Sequence, residues 1–286
     1  MTMIQAENLY FSYPKTKEPT LKNIQLSIAK GEIFGVLGPS GAGKSTLQKI
    51  LIGVLKGYEG RVQVLNQYVN KTDGQFYQKL GVAFETPNFY QKFTALENLA
   101  FFGSFYEKPT LPPEKLLAAV GLEEAKHMRV SEFSKGMKMR LNICRAFLHD
   151  PELVFLDEPT SGLDPLNVKK VMELIEEKKC EGKTIIINTH NMHVAEQHCD
   201  RVAFIVDGEI KLIDSPKELM LKHSEKAVAV TFYEDGEKKQ DSFPLKQLNG
   251  NQRFRRVLEL DQIVQMHTVE KSLEDLFIEV TGRTLQ

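Results

Sequence analysis

The run Gly38-Pro39-Ser40-Gly41-Ala42-Gly43-Lys44-Ser45-Thr46 follows the pattern G-x-x-x-x-G-K-[ST], whose residue types suit a loop that holds phosphate. Glycines let several backbone N–H groups converge on one anion, and a helix N-terminus behind them adds positive potential. Lys44 is expected to reach the β- and γ-phosphates of a nucleotide, and the Ser45 hydroxyl to ligate Mg²⁺. The loop needs a strand before it and a helix after it. Ile33, Phe34, Val36 and Leu37 read as a short buried strand, and Leu47, Ile50, Leu51 and Val54 recur at helical spacing. With strand, loop, Lys and Ser all in place, a chance glycine turn does not account for the set.

A second constellation sits further along. The apolar run Leu153-Val154-Phe155-Leu156 ends in Asp157-Glu158. Paired carboxylates at the end of a buried strand are costly unless they bind something. Beside a phosphate loop, Asp157 fits a direct or indirect Mg²⁺ ligand, and Glu158 a group that polarises an attacking water. Ser161-Gly162-Leu163-Asp164-Pro165 reads as a tight loop into a helix over 166–180. The buried strand Ile185 to Thr189 ends in His190, which is placed to contact a γ-phosphate, although a lone His is more often structural. Ser134 is a good N-cap for a helix running to about Leu148, and Gly136 permits close backbone approach. Asn70-Lys71-Thr72-Asp73 imitates a guanine-reading motif. It lies too near the phosphate loop, and the chain contains no D-x-x-G, so it reads as a turn.

The elements that must position these groups are legible in outline. Strand-like runs fall around Ile4 to Tyr10, Ile24 to Ile28, Arg61 to Val69 and Leu80 to Phe84. Residues 87–127 read as helical and aromatic (Phe89, Tyr90, Phe93, Phe101, Phe102, Phe105, Tyr106), broken by Pro109, Pro112 and Pro113. That aromatic density favours a partly exposed docking surface over pure core. After Pro216 the composition shifts. Ala227 to Phe232, Asp241 to Leu245 and Val257 to Val264 suggest short strands, with a hairpin signal at Glu234-Asp235-Gly236-Glu237. Leu273, Leu276, Phe277 and Val280 suggest one face of a terminal helix over 272–281. Arg253, Arg255 and Arg256 read as a solvated basic face. Residues 223–286 are thus expected to form a small α+β appendage.

Composition narrows the class. The 286 residues are 42% apolar, enough for a full core, and the net charge of −1 exerts no general pull toward nucleic acid or anionic lipid. The cysteines Cys144, Cys180 and Cys199 are odd in number and widely spaced, with neither metal spacing nor a disulfide framework, which points to a reducing compartment. No apolar run approaches 18 residues and no signal peptide is evident, so a membrane role is expected to come through a partner.

Taken together, residues 3–222 resemble the ATP-binding cassette of ABC transporters. On that resemblance Gly38 to Thr46 is the Walker A loop and Leu153 to Asp157 the Walker B strand. Glu158 is the catalytic carboxylate, Ser161 to Asp164 the D-loop, and His190 the switch histidine. Ser134-Lys135-Gly136-Met137 occupies the signature position. Tyr13, which spacing alone would assign to the core, falls where the family stacks an aromatic on adenine. Two residue sets depart from the pattern: Lys135 and Met137 replace a Gly and a Gln of the signature, and Glu85 stands for the Q-loop glutamine, as an added oxygen for the metal. The resemblance implies an α/β P-loop NTPase fold. It would have a RecA-like core, an antiparallel β subdomain and a helical subdomain at about 87–150, within a cassette spanning 1–222. It implies ATP and Mg²⁺ as ligands and a head-to-tail pairing of two cassettes, here expected as a homodimer. Each ATP would be held between one chain's Walker A and the other's Ser134 and Gly136. It also implies a separate membrane permease, and a cytoplasmic location on the inner face of the membrane. The tail, with Leu273-Glu274-Asp275-Leu276-Phe277 and Thr281-Gly282-Arg283, is similar to that of ATPase subunits paired with ABC-2-type permeases, commonly exporters. Two other readings compete. A soluble ABC mechanoenzyme on ribosomes or DNA would carry two cassettes or long coiled coils. A regulatory module without turnover would not need Glu158 and His190.

Overall fold

The structure is a computed structural model that describes all residues except 15, 17, 224, 225, 261, 270 and 284–286. The chain divides into two compact units, Met1–Ser215 and Pro216–Arg283. The first begins β1 (Thr2–Phe11), β2 (Leu21–Ala29), β3 (Ile33–Leu37), α1 (Lys44–Leu51), β4 (Glu59–Val64), β5 (Gln67–Tyr68), α2 (Gly74–Tyr77) and β6 (Leu80–Ala83). It continues α3 (Ala95–Gly103), α4 (Pro113–Ala119), α5 (Lys135–Phe147), β7 (Leu153–Asp157), α6 (Pro165–Cys180), β8 (Thr184–Thr189), α7 (Met192–His198), β9 (Arg201–Val206) and β10 (Glu209–Asp214).

Two sheets organise this unit. One is six-stranded in the order β10-β9-β3-β8-β7-β6, parallel except for β10 at its edge. Every residue of β3, β7 and β8 is buried, which is why these strands read as continuous apolar runs: a parallel sheet is covered on both faces. Register matters most for function. Leu37 lies opposite Thr189, and Asp157 opposite Asn188, so β3, β8 and β7 end at one level. Ligand sites of open α/β sheets form outside those carboxyl ends, and here Gly38, Glu158 and His190 are the next residues. The other sheet, β2-β1-β4-β5, is antiparallel. Its strands β1 and β2 largely alternate buried and exposed positions, and Ile4, Leu9, Ile24, Ile28 and Val64 share a core with Leu47, Ile50 and Leu51 of α1.

The helical expectation for 87–127 needs correction, because only α3 and α4 form there. The capping box of Thr94 and Glu97 starts α3 late, with Glu97 N donating to Thr94 Oγ1 at 3.2 Å and Thr94 N to Glu97 Oε2 at 2.8 Å. Pro109 and Pro112 remove backbone donors and keep the chain irregular until α4 begins at Pro113. The rings divide between core and surface. Phe89 is buried, whereas Tyr90, Phe93 and Phe105 are exposed, and Arg145 lies over Phe89 and Phe102 at 4.9 and 5.0 Å. Asp73 of the imitation guanine motif caps α2 by accepting from Phe76 N.

The second unit contains α8 (Pro216–His223), β11 (Ala227–Glu234), β12 (Glu237–Pro244), α9 (Gln252–Glu259), β13 (Ile263–Thr268) and α10 (Leu273–Thr281). The expected boundary after residue 222 thus falls at the far end of α8, which groups with the second unit. Its antiparallel sheet runs β12-β11-β13, and Val228, Val230, Phe232 and Phe243 pack with Val257 of α9. The hairpin at Asp235-Gly236 has φ of 56° and 80°, the left-handed pair that a two-residue turn needs. Val257 was expected to open a strand but lies in α9. Asn251 accepts from Phe254 N at 3.0 Å and caps that helix, and Phe254 and Val257 share its apolar face. Arg253 is not a free surface charge. Its guanidinium forks onto Glu234 at 2.7 and 2.8 Å and reaches Asp241 at 3.0 Å.

Candidate nucleotide site

The loop after β3 closes over β9. A Cβ on Gly38 would stand 2.1 Å from the Ile205 carbonyl oxygen, so no other residue fits there. Gly43 has φ of 108° at the N-cap of α1, a conformation that turns successive N–H groups inward at little cost only for glycine. Lys44 folds back over this loop, its Nζ donating to the carbonyls of Gly38 at 2.6 Å and Pro39 at 3.0 Å. Burial lowers its pKa, and the carboxylates of Glu158, Asp157 and Glu85 oppose that shift.

The strand ends supply the acids. Ser45 Oγ donates to Asp157 Oδ2 at 3.4 Å. Burial raises the pKa of Asp157, with the neighbouring charges of Glu158 and Glu85 adding to the shift, while a hydrogen bond from Asn188 and the charge of Lys44 oppose it. Glu158 has φ of +50°, an uncommon backbone state for a side chain of its size. That turn lets its N–H donate to the Asn188 carbonyl at 2.9 Å and aims its carboxylate at β8. The carboxylate accepts from Thr189 Oγ1 at 3.1 Å and from His190 N at 3.1 Å, and His190 Nδ1 lies 2.7 Å from Oε1. Glu158 is buried, whereas the His190 side chain is 58% exposed.

Together these residues line one cleft of about 410 Å³: Ser40, Gly41, Gly43, Lys44, Ser45 and Thr46 on one side, with Glu85, Asp157, Glu158 and His190 on the other. Thr20 also lines it, and no motif marked that residue. Tyr13 stands next to the cleft. Its hydroxyl is 3.3 Å from Thr46 Oγ1, and Phe11 packs edge-on against its half-buried ring at 4.9 Å. The signature residues lie apart from this cleft. Ser134 caps α5, its Oγ accepting from Met137 N at 3.2 Å. Gly136 stands beside Leu163 and Gly162, and a Cβ on Gly162 would lie 3.7 Å from Lys135 Cδ, so residues 135–136 and 162–163 form one surface. Asp164 caps α6, its Oδ1 2.5 Å from Asn167 Nδ2, and these bonds lower its pKa.

Chemically, the cleft combines converging backbone donors, one ammonium group and hard oxygen donors. That set matches a nucleotide's phosphates together with a magnesium ion, which takes few protein ligands and completes its shell with phosphate and water. The residues present therefore fit such an ion.

The ABC transporter family pattern matches residues 21–161. A fluoroquinolones export ATP-binding protein of Mycobacterium tuberculosis is 46% identical, over 99% of this chain and 94% of its own length. The Nod factor export ATP-binding protein I of a Rhizobium species is 34% identical over 93% of each chain. Among solved structures, an ATP-binding cassette captured as a dimer in a post-hydrolysis state with ADP and Pi superimposes with a TM-score of 0.67. It is 29% identical and covers 74% of this chain and 98% of its own. With the cleft as described, these matches place the chain in the ABC transporter family, as an ATP-binding subunit that hydrolyses ATP.

Proposed function

We propose that this chain is the ATPase subunit of an exporter, driving a separate membrane permease from the cytoplasmic face. The observation that carries this is the near full-length match to a drug-export subunit, which extends through the second unit as well as the cassette. No helix among the described residues is long and apolar enough to cross a membrane, and in this reading a separate permease supplies the transport path. The exposed rings Tyr90, Phe93 and Phe105 are the surface offered to that chain. An ABC-2-type permease is the partner class that the tail favours.

In this reading Lys44 leaves the Gly38 and Pro39 carbonyls for the β- and γ-phosphates, and Thr46 and Tyr13 flank the nucleotide. Ser45 and Asp157, with Glu85 as an additional oxygen, hold Mg²⁺, which neutralises charge on the phosphates. Glu158 accepts a proton from the attacking water. A carboxylate offers about four acceptor directions, and in this structure three are engaged by Thr189 and His190. Rotation of the exposed His190 ring toward a γ-phosphate frees one acceptor direction of Oε1 for the water, while the His190 N–H stays on the same oxygen. Ser134, Lys135, Gly136 and Met137 then meet the nucleotide of a second copy, in a head-to-tail homodimer, with Asp164 at the seam. The positive end of α5 supplies fixed potential there.

Inverted vesicles from cells that express this chain with an ABC-2-type permease should accumulate a fluoroquinolone on addition of ATP, the drug class named for the mycobacterial relative. Glu158→Gln should abolish that accumulation and leave an ATP-bound dimer by light scattering. Accumulation that persists in Glu158→Gln would overturn the coupling, and loss of turnover without a dimer would overturn the pairing.

A further inference from the structure

The carboxylate on the metal side of the cleft has a backing that the phosphate-loop pattern does not contain. Gln48 lies one turn along α1 from Ser45, so both side chains leave the same helix face. Asn188 lies on β8 directly across from Asp157. All three polar residues are buried: Gln48, Asn188 and Asp157 are 2%, 1% and 7% exposed. The Asn188 amide Nδ2 donates to Gln48 Oε1 and, at 3.5 Å, to Asp157 Oδ1. Ser45 Oγ donates to the other oxygen, Oδ2. Ser45, Asp157, Asn188 and Gln48 therefore form a closed ring that ties α1 to β7 through β8.

The direction of the ring follows from charge. Turned end for end, the Asn188 amide would set its oxygen against the Asp157 carboxylate. Gln48 presents an oxygen to the second Nδ2 hydrogen, which fixes the favourable orientation. Its own Nε2 is left buried without a partner among the described residues. An unpaired buried donor is destabilising, and two apolar side chains of similar shape would fill the same space at no loss. Leu47, Ile50 and Leu51 do so elsewhere on α1. The polar pair is thus retained against packing.

We propose that Gln48 and Asn188 are positioning residues: they hold Asp157 Oδ1 against the sheet, so that Oδ2 stands beside Ser45 as a ligand for the divalent cation. Outer partners of this kind fix the orientation of the ligand they touch. The inference rests on the assignment of Ser45 and Asp157 to the metal.

The test is a titration of ATP into the intact chain at rising Mn²⁺, with Mn²⁺ EPR on the same samples and thermal melting alongside. The variants are Gln48→Met, which removes the acceptor at nearly constant volume, and Asn188→Ser, which shortens the donor without overpacking. In each, the Mn²⁺ concentration giving half the gain in ATP affinity should rise on the order of 10–100-fold, and ATP affinity in EDTA should stay at the wild-type value. A structural role would instead lower the melting temperature and weaken ATP binding with and without metal alike, and that pattern overturns the proposal. So does an unchanged Mn²⁺ dependence in either variant that folds. A wild-type protein whose ATP affinity ignores Mn²⁺ would overturn the metal assignment itself.

Discussion

Two clusters of carboxylates in this chain differ in where their counter-charge comes from. In the cassette, Asp157 and Glu158 are buried side by side, and the cation that acts on Asp157, Lys44, is occupied with loop carbonyls. In the second unit, Glu234 and Asp241 are half-buried on adjacent strands, and Arg253 grips both while Lys239 adds a further bond to Glu234 at 3.0 Å. The consequences run in opposite directions. Burial and like charge raise the pKa of Asp157, whereas Arg253 and Lys239 lower that of Glu234 to about 2. Acids whose counter-charge is folded in beside them are structural. Acids left buried with their charge unmet await a ligand that brings it, which is the pattern expected of a site.

Changing one charged group in each cluster breaks the comparison if it is wrong. Glu158→Gln keeps the shape of the side chain and loses the base, so turnover should fall on the order of 10²–10⁴-fold, while ATP still binds. Arg253→Ala should leave turnover at the wild-type rate. A steady-state ATPase assay on both variants decides it: comparable losses would mean that the second cluster takes part in the chemistry.

Lys44→Ala is next in size. Its ammonium makes charge-assisted bonds, and each such bond contributes about 1.5–3 kcal/mol. The ATP dissociation constant should therefore rise roughly ten- to a hundred-fold by calorimetry. Wild-type affinity would mean that Lys44 stays on the Gly38 and Pro39 carbonyls. Tyr13→Ala tests the margin of the cleft. Loss of one base–aromatic stack should weaken ATP by about 1–3 kcal/mol, toward the lower end because Phe11 and the core already hold part of the ring. An unchanged affinity would return Tyr13 to a packing role.

How much of this was legible in the sequence follows the same division. The phosphate loop, Asp157-Glu158 and His190 could be read because each is a chemical type at the end of a short apolar run, and parallel strands bring such ends to one level. The proposed signature and D-loop positions rest on their order along the chain. The Gln48–Asn188 contact was not, because it joins residues 140 positions apart and neither belongs to a motif. The roles of Thr20 and Thr189 were hidden for the same reason. In the second unit Arg253 looked solvated because its acidic partners arrive from two strands distant in sequence, whereas Arg255 and Arg256 are exposed. Val257 looked like the start of a strand because a β-branched residue in a short apolar run carries no period of its own. The cap at Asn251 decides for helix. Residues 87–127, read as helical with breaks at Pro109, Pro112 and Pro113, form less helix than expected, because the capping box of Thr94 and Glu97 starts α3 late.

The smallest effect separates charge from packing in the second unit. Glu234 has a folded pKa near 2 against an ordinary value of 4.5. A carboxyl depressed in the folded state contributes stability above its unfolded pKa and loses that contribution as pH falls through the folded one. The contribution of Glu234 should thus be complete at neutral pH and fade between 4.5 and 2. Arg253→Ala removes the fork and the largest cause of the shift, leaving Lys239 as the remaining partner. The difference in opening stability between wild type and variant, followed by hydrogen exchange at β11 and β12 amides, should be present at neutral pH and shrink across that window. High salt should also diminish it, because the groups are partly open to solvent and partly screened. Arg253 additionally lies over the Phe232 ring at 5.4 Å, and that contact does not titrate. A difference that survives undiminished to pH 2 would assign the effect of Arg253 to its stem and ring contact. The second cluster would then be held by packing, and the contrast with the buried acids of the cleft would lose its electrostatic basis.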